Sequence, residues 1–383
     1  MFPSVSFVER MISLFSKLRP LGFKQWFFSF VFHFFLYASR LRSIFCQLRL
    51  NVYVASGVDK NMGNGIKVLF FGNERFPLFI SDLLFVDKPD VKMFGKEWIW
   101  HVGRDKTVKE SDSDMVLVSC DCFYNRFLHK ADLFVFPHMI DMILDIRKPS
   151  EEFFKNLSNS AKADIRKVKQ HDYSFEVTSD INQLRMFYND MYLPLIKNRF
   201  GDKPLFIPPF VFFRVLHEIG YKFLLAKKDD AYISGNIFHC DNKEMYTKYF
   251  GILNGDFDLI KKGASAAIYY FSIVWAKENK LSNVNFGACR PFLNDGVFQY
   301  KKKWGTIIEP YSLVPEIFGL KILNNSEPMK QFLIDNPFIG LNEKNEITGF
   351  VFVDKDEISD KEKELYEKRF NVSGIHELRF FSL

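Results

Sequence analysis

Cysteine is scarce in this chain, and what there is does not pair off. Cys46, Cys120, Cys122, Cys240 and Cys289 are odd in number and scattered along 383 residues, which excludes a disulfide framework and points to a reducing compartment. Cys120 and Cys122 share one side of an expected strand in DMVLVSCDCF, with His129 and His138 downstream. No metal-site spacing is matched, so they read as buried strand thiols and no metal is expected. Acid is almost missing from residues 1–50, where Arg10, Lys17, Arg19, Lys24, Arg40, Arg42 and Arg49 face the single acid Glu9. The net charge of +6 therefore sits in this arm and the remainder is balanced, which excludes the basic working face of a nucleic-acid-binding domain. No heptad run is sustained over residues 151–312 and internal repeats are not visible, which excludes coiled coils and solenoids.

The longest apolar run, Trp26 to Ala38, is broken by Ser29 and His33 and falls short of the roughly 20 residues of a bilayer span. Gln25, Ser29, His33 and Tyr37 recur every four residues and would form one polar stripe on a helix. Three readings stay open: a helix lying on an anionic membrane surface, a helix buried in the fold, and a true span. The expected location is cytoplasmic, or peripheral at the inner face of a membrane.

What the chain has in quantity is apolar and aromatic side chains: 48% of it is hydrophobic and 26% charged, a globular composition long enough for two or three domains. IKVLFFG and DMVLVSCDCF read as strands in residues 51–150. Further on, YSFEV is a strand. SDINQLRMFYNDMYLPLIKNRFG is a helix with a capping box at Asp180 and Gln183 and a kink at Pro194, and PPFVFFRVLHEIG is a second helix. KFLLAKK, AYISGNIFHC and EMYTKYFGIL, parted by DD and DN turns, form an antiparallel meander. A loop, a long helix and the strand SNVNFGA follow. FQYKKKWG, residues 298–305, reads as an extended strand on which Phe298, Tyr300, Lys302 and Trp304 share one face. The tail reads strand, charged helix, strand.

This order resembles the GNAT acyltransferase superfamily, and within it the FemAB-like branch. The resemblance rests on NSAKADIRKVKQHDYSFEV, GASAAIYYFSIVWAKENKLSNVNFGA and FQYKKKWG, and covers about residues 140–312. It implies an α+β fold of tandem GNAT-like domains, each a mixed, mostly antiparallel sheet flanked by helices. The expected division is a basic amphipathic arm at 1–50, a degenerate GNAT-like half at 51–150, an acyltransferase domain at 151–325 and a small αβ extension at 326–383.

The resemblance further implies acyl-CoA, acetyl or longer, as donor to an amine or hydroxyl of an envelope or glycoconjugate precursor. Lys261, Lys262, Gly263, Ala264, Ser265 and Ala266 suit its diphosphate, since small residues allow close backbone approach at a helix start. Ile260 and Ser265 depart from the superfamily pattern, which has Gln or Arg and a second glycine there. Lys301 matches the family lysine that stabilises charge at the scissile carbonyl. Tyr300 and His239 are further catalytic candidates, and Tyr249, Asn285, Arg290 and Asp295 are candidates for the acceptor. Two alternatives stand beside this: an aminoacyl-tRNA-dependent peptidyltransferase, disfavoured by the balanced charge beyond residue 50, and a non-catalytic membrane-associated binding protein.

Overall fold

A computed structural model describes residues 38, 40–72, 76–103, 105–201, 209, 212–213, 220–311, 315–355 and 357–383. The apolar run from Trp26, apart from Ala38, and most of the second expected helix lie outside these residues. The chain divides into two compact units.

The first unit takes the residues up to Ile140, then 290–298 and 310–383. Its strands are β1 (Arg49–Val58), β2 (Gly65–Phe71), β3 (Asp90–Trp98), β4 (Met115–Asp121), β5 (Phe134–Pro137), β13 (Glu316–Ile322), β14 (Phe338–Leu341), β15 (Ile347–Val353) and β16 (Glu377–Ser382). They form one nine-stranded sheet in the order β16-β15-β14-β5-β13-β4-β2-β1-β3. The pairs β2–β4 and β15–β16 are parallel, and the other ladders are antiparallel. Every residue of β4 is buried, as a near-continuous apolar run in a central strand requires. Cys120 is buried in it, whereas Cys122 is exposed in the turn Cys122–Tyr124, so the expectation of two strand thiols holds only for the first. That turn is set by Asp121, whose carboxylate accepts the Phe123 N–H at 2.9 Å.

Residues 326–383 differ from the expected separate extension: β14, β15 and β16 continue the sheet from β5, and β13, expected in the second domain, pairs with β4 and β5. The physical reason is aromatic. Phe134 of β5 lies among the rings of Phe338, Phe350, Phe352 and Phe381 at centroid distances of 6.2, 5.5, 5.4 and 5.0 Å. Helices α1 (Leu78–Leu84), α2 (Asp105–Ser111), α3 (Asn125–Lys130), α11 (Glu327–Asp335) and α12 (Asp360–Phe370) complete the unit.

The second unit takes residues 141–289 and 299–309. Its sheet runs β12 (Ile307–Pro310), β6 (Ile140–Asp145), β11 (Asn283–Cys289), β10 (Glu244–Ile252), β9 (Ala231–Asp241), β8 (Lys222–Lys228), β7 (Ser174–Thr178). The expected meander is β8, β9 and β10, turned at Asp229 and Asn242 with φ of 52° and 53°. One face packs under α4 (Ser150–Asn156), α5 (Asn159–Gln170) and α9 (Ala264–Glu278). α9 is apolar nearly all round, the composition of a helix sunk into a core.

The other face is covered over β8 and β9 by α6 (Ile181–Met186), a π-helical stretch Phe187–Tyr192 and α7 (Leu193–Phe200). These make up one expected helix with a π-stretch in its middle and Pro194 in the first turn of its last part. Asp180 caps α6 by accepting the N–H groups of Asn182 and Gln183. The Gln183 side chain donates to Glu176 and Tyr232, so the cap is not a box.

Candidate functional site

Over β6, β11 and β10 that second face turns polar. Asp141, Asn283, Asn285, Glu244 and Tyr246 alternate with buried Met142 and with Val284 and Met245, the last two part of the core under α9. Asn285 is the hinge of the group. Its Oδ1 accepts the Gly287 N–H at 2.8 Å, and its amide lies close enough to Asp141 and Glu244 to favour the ionised form of both.

Burial pushes the Asp141 carboxyl up to about 6. The Asn285 amide and the nearby Lys301 ammonium oppose this, while Glu244 and Glu309 add to it. Glu244 is raised as well, first by burial. Two half-buried carboxyls beside one amide are thus both raised at a single spot. Asn285 and Lys301 were legible in the sequence as candidates, but Asp141 and Glu244 were not.

The spot lies where two strands part. β10 and β11 pair in parallel from Glu244↔Asn283 to Tyr246↔Asn285, and the described ladder ends there although both strands run on. β10 then bulges at Tyr249, whose φ of 47° is unusual for a side-chain-bearing residue. The Tyr249 ring stands 6.0 Å from Tyr192 and 5.9 Å from Phe212, on the side of the π-stretch.

The run FQYKKKWG is helical, which corrects the expected strand: α10 spans Gly296–Lys302. Asp295 starts it by accepting the N–H groups of Val297 and Phe298 at 2.9 and 3.1 Å, while its other oxygen holds Arg290 at 2.8 Å. Arg290 and Asp295, expected on the acceptor, thus satisfy each other and lie in the first unit. The three lysines meet three environments. Lys301 is 4% exposed and donates to the carbonyls of Gly287 (2.8 Å) and Ala288 (3.0 Å) at the end of β11. Lys302 is half-buried and its pKa is lowered by that burial. Lys303 pairs with Asp164 and covers the Tyr300 ring at 3.7 Å. Tyr300 donates to Asp164 at 3.3 Å, and burial, then Asp164, drives its pKa far up, so it belongs to the packing of α5 against α10.

His239 sits on the same polar face, between Tyr246 (4.9 Å, stacked) and Tyr221 (4.8 Å). Its Nδ1 is buried without a hydrogen-bond partner among the described residues, and burial followed by Lys248 lowers its pKa. It is therefore a neutral imidazole with one idle nitrogen next to Tyr246.

The segment Lys261–Ala266 lies at the N-terminus of α9, which no side chain caps. Gly263 has φ of 95°, and a Cβ there would stand 3.3 Å from the Cβ of Lys167, so α5 already uses the close approach that this glycine permits. Lys261 (paired with Asp258) and Lys262 are exposed, Ala264 and Ala266 are buried, and half-exposed Ser265 is where solvent meets the first turn. The donor set fits a diphosphate: first-turn amides, the positive helix end and two ammonium groups. The first turn meets solvent at Ser265 and not over Gly263.

No family model and no curated protein matches the chain. Among solved structures it is similar to FemX, with 14% identity, 76% of this chain and 92% of that chain covered, and a TM-score of 0.36. It is also similar to L-PGS from Bacillus licheniformis, at 13% identity, 73% and 87% coverage and a TM-score of 0.36. A GCN5-related N-acetyltransferase from Kribbella flavida is similar at 8% identity, 76% and 60% coverage and a TM-score of 0.29. Each unit of the chain is an α+β layer arrangement on a mixed, mostly antiparallel sheet. At such low similarity, only the geometry of the site itself can support a functional conclusion.

Proposed function

We propose that the chain is an acyltransferase which moves an acyl group from a thioester of the acyl-CoA class to an amine or hydroxyl presented beside Asp141. The observation that carries this reading is the Asp141–Asn285–Glu244 cluster at the point where β10 and β11 part. A carboxyl near 6 is ionised at neutral pH and still basic enough to take the acceptor's N–H or O–H proton. As that proton leaves, the C–N or C–O bond forms and the C–S bond breaks, with the thiolate as leaving group. Acyl-CoA would supply the activated carbonyl, with Lys262 and the amides of Ala264, Ser265 and Ala266 holding its diphosphate. Lys301 acts as a positioning residue: its ammonium is held by two carbonyls and sets the end of β11 and the charge near Asp141. His239 faces the acceptor side.

CoA at millimolar concentration should raise the melting temperature, because a ligand bound only by the folded chain stabilises it. Ser265→Glu should remove that shift by charge repulsion without lowering the melting temperature of the free protein. Mass-spectrometric assay of acyl-CoA donors against a panel of amino sugars and amines should reveal transfer. Asp141→Asn should cut turnover by about a hundredfold or more, as loss of a general base does. No thermal shift and no transfer would leave a binding protein of the same fold, and transfer only from an aminoacyl ester would reassign the donor.

A further inference from the structure

One end of the nine-stranded sheet is lined with aromatic side chains that the fold leaves in the open. Trp98 ends β3, and Trp100 stacks on it at 4.8 Å between centroids with 15° between ring planes. The two are 40% and 43% exposed, and across the same end Phe123 is 64%, Phe127 38%, Phe45 69% and Leu41 40% exposed.

Short links show that these groups form one surface of the first unit. The Ile99 N–H donates to the Leu48 carbonyl at 3.0 Å, tying the tryptophan turn to the chain just after the helical segment 40–46. The Tyr124 hydroxyl donates to the Ile44 carbonyl at 2.6 Å, and its ring contacts Phe123 and Phe127 at 5.2 and 6.2 Å. A groove of about 410 Å³ between Trp100 and Phe127, floored by Ile99 and Val102 and rimmed by Lys130, joins the two halves.

The exposed charge around this surface is mostly positive. Arg42, Arg49, Arg126 and Lys130 are exposed on these elements. The acids beside them are engaged, Asp121 by Arg40 at 3.1 Å and Glu97 by His101 at 3.1 Å.

We propose that this end of the sheet docks on an anionic lipid bilayer, with the aromatic rings at headgroup depth and the four cations against lipid phosphates. Paired tryptophans and phenylalanines within a basic rim suit the interface between acyl chains and headgroups. Single-stranded nucleic acid would need free ring faces for bases to stack on. Here Trp98 and Trp100 cover each other on one side, and Leu41 and the groove offer aliphatic surface instead.

The test uses the full chain carrying Trp26→Phe, so that the arm contributes no tryptophan signal, with vesicles of phosphatidylcholine alone or mixed with phosphatidylglycerol and bearing brominated acyl chains. Binding should require phosphatidylglycerol, and tryptophan emission should be quenched. Trp98→Phe with Trp100→Phe should abolish most of that quenching. Phe123→Ser with Trp100→Ser should weaken partitioning by about tenfold or more while leaving the melting temperature in place, since neither ring is buried. Undiminished partitioning of that double variant overturns the proposal. So does unquenched emission on bound vesicles, or binding to single-stranded RNA in preference to vesicles.

Discussion

Asp141 charges the folded state for its position. Its carboxyl rises from 3.8 to about 6, first through burial, so the native chain binds this proton more tightly than the unfolded chain does. A raised pKa gives stability that is present at low pH and is lost as pH climbs to the folded value. Between about pH 4 and 6 the unfolded chain ionises in water while the native carboxyl resists, a difference on the order of 2–3 kcal/mol once both are charged. Asp141→Asn removes the titration. Urea unfolding at pH 4, 5, 6 and 7 should show the variant matching the parent at the acid end and exceeding it by about 2 kcal/mol at pH 7. A constant difference across that range would mean the carboxyl is not raised. A residue that lowers stability at neutral pH yet sits among polar partners on one face of the sheet fits a catalytic task better than a structural one.

Among the elements, α10 shows where the sequence was readable and where it misled. Alternation of Phe298, Tyr300, Lys302 and Trp304 looks like a strand, and three adjacent lysines look like a solvated edge. The competing signal was Asp295, an N-cap followed by buried Phe298 and Lys301 three apart, which is the spacing of a helix face. β6 held a similar clue: Ile140, Met142, Leu144 and Ile146 are apolar on one face, so Asp141 and Asp145 had to mark a second, polar one. The meander and α9 were legible because turn residues and helix composition are local. The meeting of Asp141 with Asn285 and Lys301 was not, because it joins residues more than 140 positions apart through sheet order alone. The lysines now separate cleanly. Lys301→Met strands two carbonyls and removes a cation from Asp141, and should lose about 3 kcal/mol or more. Lys303→Met gives up a partly exposed pair with Asp164 and a ring contact, and should lose about 1 kcal/mol. Chemical denaturation of both variants measures the gap, and equal losses would mean that Lys301 is not the buried clamp that its two carbonyl bonds indicate.

At the scale of the whole molecule, chain order and unit boundaries do not coincide. The first unit is closed by segments from both ends of the sequence, so the last residues matter to a sheet begun near residue 49. Reading composition along the chain gave 326–383 the look of an appendage, since its helix α12 is charged and its strands are short. What composition does not show is that β14 pairs with β5 and that Phe338, Phe350, Phe352 and Phe381 enclose Phe134. Truncation after residue 325 would strip β5 of that strand, open Phe134 and Phe136 to water and remove buried Met329, Phe332 and Leu333 of α11. Full burial of each such side chain is worth about 1.5–3 kcal/mol, and the sum over these five, about 7.5–15 kcal/mol, is as large as the 5–15 kcal/mol by which domains are usually stable. The truncated chain should therefore lose the slow hydrogen exchange of its β1–β5 amides, whatever transition the second unit retains. Protection of those amides at the full-length level would show that the sheet closes without its last three strands, and would restore 326–383 to the status of a dispensable extension.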